Sequence, residues 1–356
     1  MRIITIVGAR PQFIKIAPVV RVCRQAGIPH QLVHTGQHYD YEMSKVFFDE
    51  LDIPTPDYFL GAGSGTHAEQ TAKVMVEFER VCLRERPDVV VVVGDVNSTL
   101  ACSVTAKKLN IKVAHVEAGL RSSDMSMPEE INRIVADSIS DYLFVTERSG
   151  IENLRREGKD ENQIFFVGNI MIDTLYRSLK KLIHPQNQKK GNTPYAVVTL
   201  HRPSNVDAKE KLKDILMALG EISNDIHIYF PMHPRTKKNI TKFRLNSIIN
   251  NAQITMLAPL PYLEFLGLWK DAALVITDSG GIQEETTALG IPCFTIRDNT
   301  ERPITIAEGS NTLVGTTRTE ILEAYKRFQN SERKEGRIPE LWDGKTAQRI
   351  IRILTD

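Results

Sequence analysis

Acidic residues stand where apolar runs end. Val89–Val93 gives way to Gly94-Asp95, the run at 112–119 carries Glu117 near its end, and "PEEINR" opens a helical stretch with Glu129, Glu130 and Arg133. Carboxylates gathered at neighbouring strand ends suit proton transfer, because crowding and burial push some of their pKa values apart from others. For Asp95 alone, a plain helix N-cap is the competing reading. Cations appear at a second turn, "GARPQFIK", where Pro11 fits a first helical position, with Arg10 just before it and Lys15 one turn in. Two fixed cations there suit a diphosphate or a carboxylate, against the alternative of ordinary solvated side chains. The G-x-G-x-x-G dinucleotide fingerprint is absent.

The second half repeats the theme. "VVTLHR" ends in His201-Arg202 and "IYFPMHPRT" carries His233-Pro234-Arg235. Two such runs, each ending in a histidine close to an arginine, favour function over structure. The stretch "TDSGGIQEE" (277–285) follows the apolar "AALVI" and reads as strand, glycine turn and helix. Bare N–H groups at Ser279, Gly280 and Gly281 would seat an anion such as phosphate. Glu284 and Glu285, one turn further in, either complement the helix dipole or hold another part of a phosphate-bearing ligand. A zinc site built from His115, His201 and His233 lacks any His-x-x-His or Cys/His spacing, so no metal is expected. No G-x-S-x-G elbow supports serine hydrolysis.

These residues need a frame that brings strand ends together. Runs at 2–8, 30–36, 88–95, 112–119, 141–147 and 164–169 read as strands, with helical stretches at 11–26, 66–86, 97–109 and 128–139 between them. Continuous apolar runs suit parallel strands buried on both faces, so the pattern is α/β and doubly wound. It restarts after the polar segment 184–194, the best linker, with "YAVVTLHR", "HIYFPMHP", "QITMLAP", "ALVITDSGG" and "PCFTIRD". Two Rossmann-like domains are expected, 1–169 and 170–344, with the amphipathic 345–356 packing back on the first.

Composition agrees. A chain of 356 residues, 42% hydrophobic and 25% charged, can bury sizeable cores. A net charge of +1 without long basic runs argues against nucleic acid as partner. Cys23, Cys82, Cys102 and Cys293 lie far apart and read as buried free thiols in a reducing compartment. The first apolar run is too short for a signal peptide, and no window approaches the ~18 apolar residues of a membrane span. A soluble, cytoplasmic protein is expected.

Together, "GARPQFIK", "HTGQHYD", "GDVNSTLA", "HVEAGLRS", "MPEEINR", "TLHRPSNVD", "MHPRT", "TDSGGIQEE", "RDNTERP" and "DGKTAQRI" resemble, in order and spacing, the non-hydrolysing UDP-N-acetylglucosamine 2-epimerases from the first strand to the last helix. The resemblance implies the two-domain arrangement called GT-B with the nucleotide sugar in its cleft, no metal or nicotinamide cofactor, a cytoplasmic homodimer, and interconversion of UDP-GlcNAc and UDP-ManNAc for surface polysaccharide precursors. It implies elimination of UDP across C1–C2, a 2-acetamidoglucal intermediate, and re-addition after protonation on the other face.

Carried over by motif, Asp95, Glu117 and Glu129 fall on acid/base positions and His201 on the histidine beside them. Arg10 and Lys15 match basic residues of the cleft. Ser279, Gly280 and Gly281 match the diphosphate turn, Glu285 the acceptor of ribose hydroxyls, and Arg302 a further ligand residue. Arg133, His233 and Glu130 also align. A carboxylate suits two vicinal hydroxyl donors and repels a diphosphate, so Glu285 is expected to face the ribose and Glu284 the helix or its opposite face.

The sequence departs from the family pattern at Gln12, where an acid is common, and at Gln37-His38-Tyr39-Asp40, which lacks the arginine of segments that bind a second, activating UDP-GlcNAc. The Gln12 form and "MSMPEEINR" also resemble relatives acting on UDP-2,3-diacetamido-2,3-dideoxyglucuronate. A hydrolysing 2-epimerase, a GT-B glycosyltransferase and a nucleotide-sugar sensor stay open as other classes.

Overall fold

The computed structural model describes residues 1–37, 48–183, 193–250, 252–330, 334 and 336–356. The chain divides into two units, Met1–Arg177 with Glu340–Asp356, and Ser178–Pro339. Most of the expected linker, 184–192, and His38–Asp40 of the "QHYD" segment lie outside the described residues.

The first unit holds seven parallel strands in the order β3-β2-β1-β4-β5-β6-β7. They are β1 (Ile3–Val7), β2 (His30–His34), β3 (Tyr58–Phe59), β4 (Val89–Val93), β5 (Lys112–Ala118), β6 (Tyr142–Val145) and β7 (Ile164–Phe166). All five valines of β4 are buried, as a central strand covered on both faces requires. The strand order reverses between β1 and β4, and ligands of such sheets sit beyond the carboxyl ends at that switch point. Helix α1 (Arg10–Gln25) follows β1 there, and Gly94-Asp95 follows β4.

Helix α1 starts through an unforeseen device. The Gln12 side-chain oxygen accepts from the backbone N–H groups of Gly8 (2.6 Å) and Ala9 (3.1 Å), while its amide donates to the Val93 carbonyl (2.8 Å). A glutamate could do the first but, when ionised, not the second. The departure at position 12 therefore ties the end of β1 to the end of β4.

Strand β5 ends in a bulge. Its register against β6 shifts between Val116 and Ala118, and the residue between them, Glu117, has φ +70°. Two residues on, Gly119 has φ +81°, and a Cβ there would collide with the Gly150 carbonyl. Gly119→Ala should therefore lose about 2–4 kcal/mol in denaturant titrations, roughly 1 from the left-handed backbone and 1–3 from overpacking. A loss below about 1 kcal/mol would show that the Gly150 backbone yields freely.

The first unit is completed from afar. The N–H groups of Thr346 and Ala347 donate to Asp173 (3.0 and 2.8 Å), and the buried Trp342 indole donates to the Thr146 carbonyl (3.2 Å). Asp173 thus caps the helix Thr346–Thr355, whose buried face lies against α1. These ties draw 170–177 and 340–344 into the first unit, where the sequence had suggested boundaries at 169 and 344.

The second unit holds six parallel strands in the order β10-β9-β8-β11-β12-β13. These are β8 (Tyr195–Thr199), β9 (His227–Pro231), β10 (Ile254–Leu257), β11 (Leu274–Thr277), β12 (Cys293–Thr295) and β13 (Asn311–Leu313). In the helix Lys209–Ile222, Leu212, Ile215, Leu216, Leu219 and Ile222 recur at helical spacing and pack into the core with Val198, Ile228 and Phe230. Strands β3 and β13, two and three residues long, were not anticipated; segments so short carry no period to read. Among the described residues no helix is long and apolar enough to cross a membrane.

Candidate active site

In the first unit, the ends of β1, β4 and β5 and the helix Pro128–Ile139 assemble the expected acids with fixed cations. Glu117 and Lys15 form a buried ion pair. The pair lies against Gly94, where a Cβ would come within 3.3 Å of Glu117 and 3.5 Å of the Lys15 ammonium. Asp95, a quarter exposed, pairs with Arg133. The same guanidinium donates to Glu130 (2.6 Å), so one arginine spans both carboxylates. Asn132 donates to the Asp95 carbonyl (2.8 Å) and holds the turn.

Glu130 and Glu129 differ sharply. Glu130 is buried and accepts from the Ser122 and Ser123 N–H groups (3.0 and 2.9 Å). Burial alone would raise its pKa, but those donors and Arg133 hold it below the ordinary carboxylate range. Its role is to shape the loop, whereas Glu129 is exposed in the first turn of its helix. Arg10 is the first residue of α1, and the expectation for its side chain lies outside the described atoms.

Behind these turns lies a charged network. His115, fully buried on β5, places Nδ1 2.7 Å from Asp137 and Nε2 2.8 Å from the Gly94 carbonyl. Asp137 also accepts from the Gly119 N–H (3.0 Å) and pairs with Arg121 (2.7 Å), which in turn meets Glu157. Burial opposes the charge on His115, but Asp137 and the Gly94 carbonyl outweigh it and raise its pKa. Asp137 is likewise lowered despite burial, by His115, Arg121 and the Gly119 N–H. His115 is thus fully engaged within the protein.

In the second unit, the ends of β8, β9 and β11 gather His201, His233 and the glycine turn. Asp278, buried at the end of β11, accepts from the backbone N–H groups of His201 (3.0 Å) and Arg202 (2.9 Å) and lies 3.0 Å from His201 Nδ1. Burial would raise its pKa, but these partners, His201 foremost, hold it low. With Nδ1 turned to Asp278, Nε2 is the outward nitrogen of the half-exposed His201. The His233 ring stands 5.6 Å from that of His201, centroid to centroid, and caps its own helix by accepting from the Arg235 N–H. Ser279 is the N-cap of the helix Gly280–Leu289, so Gly280 and Gly281 occupy its first turn. At Gly280 a Cβ would lie 3.2 Å from Glu301.

The two glutamates of this helix have unlike partners. Glu284 is buried and ion-paired with Arg302 (2.8 Å). Glu284 thus anchors Arg302, a candidate ligand residue from the loop after β12. Glu285 is buried too and accepts from the Tyr262 hydroxyl (2.6 Å). Burial raises its pKa to about 8, partly offset by Tyr262 and reinforced by Glu284. Beside them Glu301 lies among Arg202 (2.8 Å), Arg297 (2.6 Å) and Arg302, which together outweigh burial and hold its carboxyl far below the usual range. Tyr262, Asp278, Glu301 and Gln12 were missed as site residues. Only Asp278 carried a local signal, as the polar residue directly after a strand and before the glycine turn.

Two doubly wound Rossmann-like units, one ending its strands in paired carboxylates and the other in a glycine turn with histidines, form the kind of α/β frame on which nucleotide-binding enzymes are built. The UDP-N-acetylglucosamine 2-epimerase family matches residues 21–355. A Methanocaldococcus jannaschii protein named UDP-N-acetylglucosamine 2-epimerase is 46% identical, over 100% of this chain and 99% of its own. A crystal structure of the Methanocaldococcus jannaschii UDP-GlcNAc 2-epimerase in complex with UDP-GlcNAc and UDP superposes with TM-score 0.89, covering 100% of this chain and 99% of that one. A Pseudomonas aeruginosa protein named UDP-2,3-diacetamido-2,3-dideoxy-D-glucuronate 2-epimerase is 42% identical over 92% of each chain. The chain belongs to the UDP-N-acetylglucosamine 2-epimerase family and is an isomerase.

Proposed function

We propose that the protein is a non-hydrolysing epimerase that inverts C2 of a UDP-2-acetamido sugar, converting UDP-GlcNAc to UDP-ManNAc for polysaccharide precursors. The observation that carries this reading is the pairing of Glu117 with Lys15 and Asp95 with Arg133 at adjoining strand ends. Carbon 2 has no neighbouring carbonyl, so its proton is weakly acidic and direct exchange is unfavourable. Elimination offers a lower route. A carboxylate takes the C2 proton while the C1–O bond to the diphosphate breaks, and the electron pair leaves with UDP. The 2-acetamidoglucal is then protonated at C2 from its other face as UDP adds back at C1.

Asp95, Glu117 and Glu129 are the acid/base candidates of the first unit, and Arg10, Lys15 and Arg133 its cations. The second unit supplies His201, His233, the Ser279-Gly280-Gly281 turn for the diphosphate, Glu285 for the ribose, and Arg302. Donors and cations fixed in advance stabilise the charge that develops on the leaving diphosphate. In D2O the epimerised product should carry deuterium at C2 by NMR. Product with full protium there would rule out this chemistry.

A second reading, epimerisation of UDP-2,3-diacetamido-2,3-dideoxyglucuronate, is favoured by the 42% identity to the Pseudomonas protein. It needs the same proton transfers at C2. Incubation with each sugar nucleotide separately, followed by product NMR, decides between them.

A further inference from the structure

We propose that His115 is a positioning residue, a buried imidazolium that sets both the geometry and the charge of the two turns carrying Asp95 and Glu117. This rests on the reading of those carboxylates as the proton-transfer groups. The geometry is specific. His115 Nε2 meets the carbonyl of Gly94, the residue before Asp95, and a carbonyl can only accept, so Nε2 carries a proton. His115 Nδ1 meets Asp137, whose other oxygen takes the N–H of Gly119, two residues after Glu117, and the Arg121 guanidinium. A carboxylate so engaged is ionised and acceptor-only, so Nδ1 carries a proton as well. One His115–Asp137 couple thereby fixes the β4 turn through Gly94 and the β5 turn through Gly119.

The charge matters as much as the geometry. Facing the imidazolium are Asp137 from the helix Pro128–Ile139, Arg121 from the loop after β5 with Glu157 behind it, and Glu117 from β5 itself, with Lys15 of α1 on Glu117. Arg133 and Asp95 lie at the same strand ends, beyond Gly94. A positive charge behind the strand ends favours the ionised form of carboxylates in front of it. A neutral histidine filling the same space would supply neither the second hydrogen bond nor the charge.

The test uses the full-length protein with ring 15N-labelled histidine, nine in all, and assigns His115 by its loss in His115→Gln. Both ring nitrogens of His115 should still show imidazolium signals at pH values where the exposed histidines, which titrate near about 6.5, have become neutral. A His115 that turns neutral together with the exposed histidines would overturn the proposal, and this measurement does not depend on the variant folding well. In His115→Gln, kcat should fall at least about tenfold with KM within about threefold. The carboxylate-controlled limb of the pH profile should also move up by about one unit. A drop in kcat with an unmoved limb would mean support alone and would overturn the charging role. If wild-type enzyme leaves no deuterium at C2, the acid/base reading fails, while the NMR result for His115 stands on its own.

Discussion

Glu117→Gln should lower kcat by ~10²–10⁴-fold and leave UDP affinity unchanged. The amide cannot exchange a proton with carbon, and the turn that would hold the diphosphate belongs to the other unit. Asp95→Asn should follow the same pattern. Each variant also discharges one member of an ion pair, and for Glu117 the stranded partner is the buried Lys15, a loss of stability of about 3–5 kcal/mol. A second comparison removes that term. Glu117→Gly and Glu117→Ala strand Lys15 equally, but only glycine is at ease at φ +70°, so the glycine variant should be the more stable by about 1 kcal/mol. Kinetics, calorimetric titration with UDP and denaturant melts provide the three readings. Turnover of Glu117→Gln within a few-fold of wild type would remove Glu117 from the chemistry. Equal stability of the glycine and alanine variants would remove the claim that the bulge is strained.

UDP binding at pH 7 should release close to one proton. With its pKa raised to about 8, Glu285 is largely protonated in the free protein at that pH. Ribose hydroxyls donating to it favour the carboxylate, so binding expels the proton. UDP affinity should therefore rise about tenfold between about pH 7 and about pH 9 in wild type and stay flat in Glu285→Gln. Glu285→Ala should weaken UDP by roughly ten- to hundredfold, the cost of hydrogen bonds to a charged group. The sign for stability runs alongside. A carboxyl raised from 4.5 stabilises the fold most below pH 4.5, and that contribution is lost as pH rises through about 8, so Glu285→Gln should gain on wild type in melts above pH 8. Calorimetry in buffers of different ionisation enthalpy measures the proton directly. No release, with unchanged affinity in Glu285→Ala, would mean that Glu285 serves Tyr262 alone.

The frame of the protein was legible because it follows from local periodicity. The valines of β4, Pro11 at the head of α1 and the glycines after Asp278 each announce strand, helix start or turn within a few residues. The acids at strand ends were legible for the same reason, since their place follows from that of the strands. Pairing was not. Lys15 and Glu117 lie 102 positions apart, and Arg202 and Glu301 lie 99 apart. Glu284 and Glu285 sit on neighbouring faces of a helix whose residues 282–288 are all buried, so period alone could not show which met Arg302 and which Tyr262. Gln12 looked like a lost acid until the Val93 carbonyl supplied a reason for the amide.

The first unit also has an order of assembly written into its topology. Residues 1–177 leave the ribosome before the whole of 178–339, yet Asp173 receives its helix and Thr146 its indole only from residues 342–347, made afterwards. The second unit is contiguous and can close as soon as it is made, while the first must wait for a segment synthesised after its neighbour is complete. In translation, then, the unit that carries Asp95 and Glu117 is begun before its neighbour and completed after it.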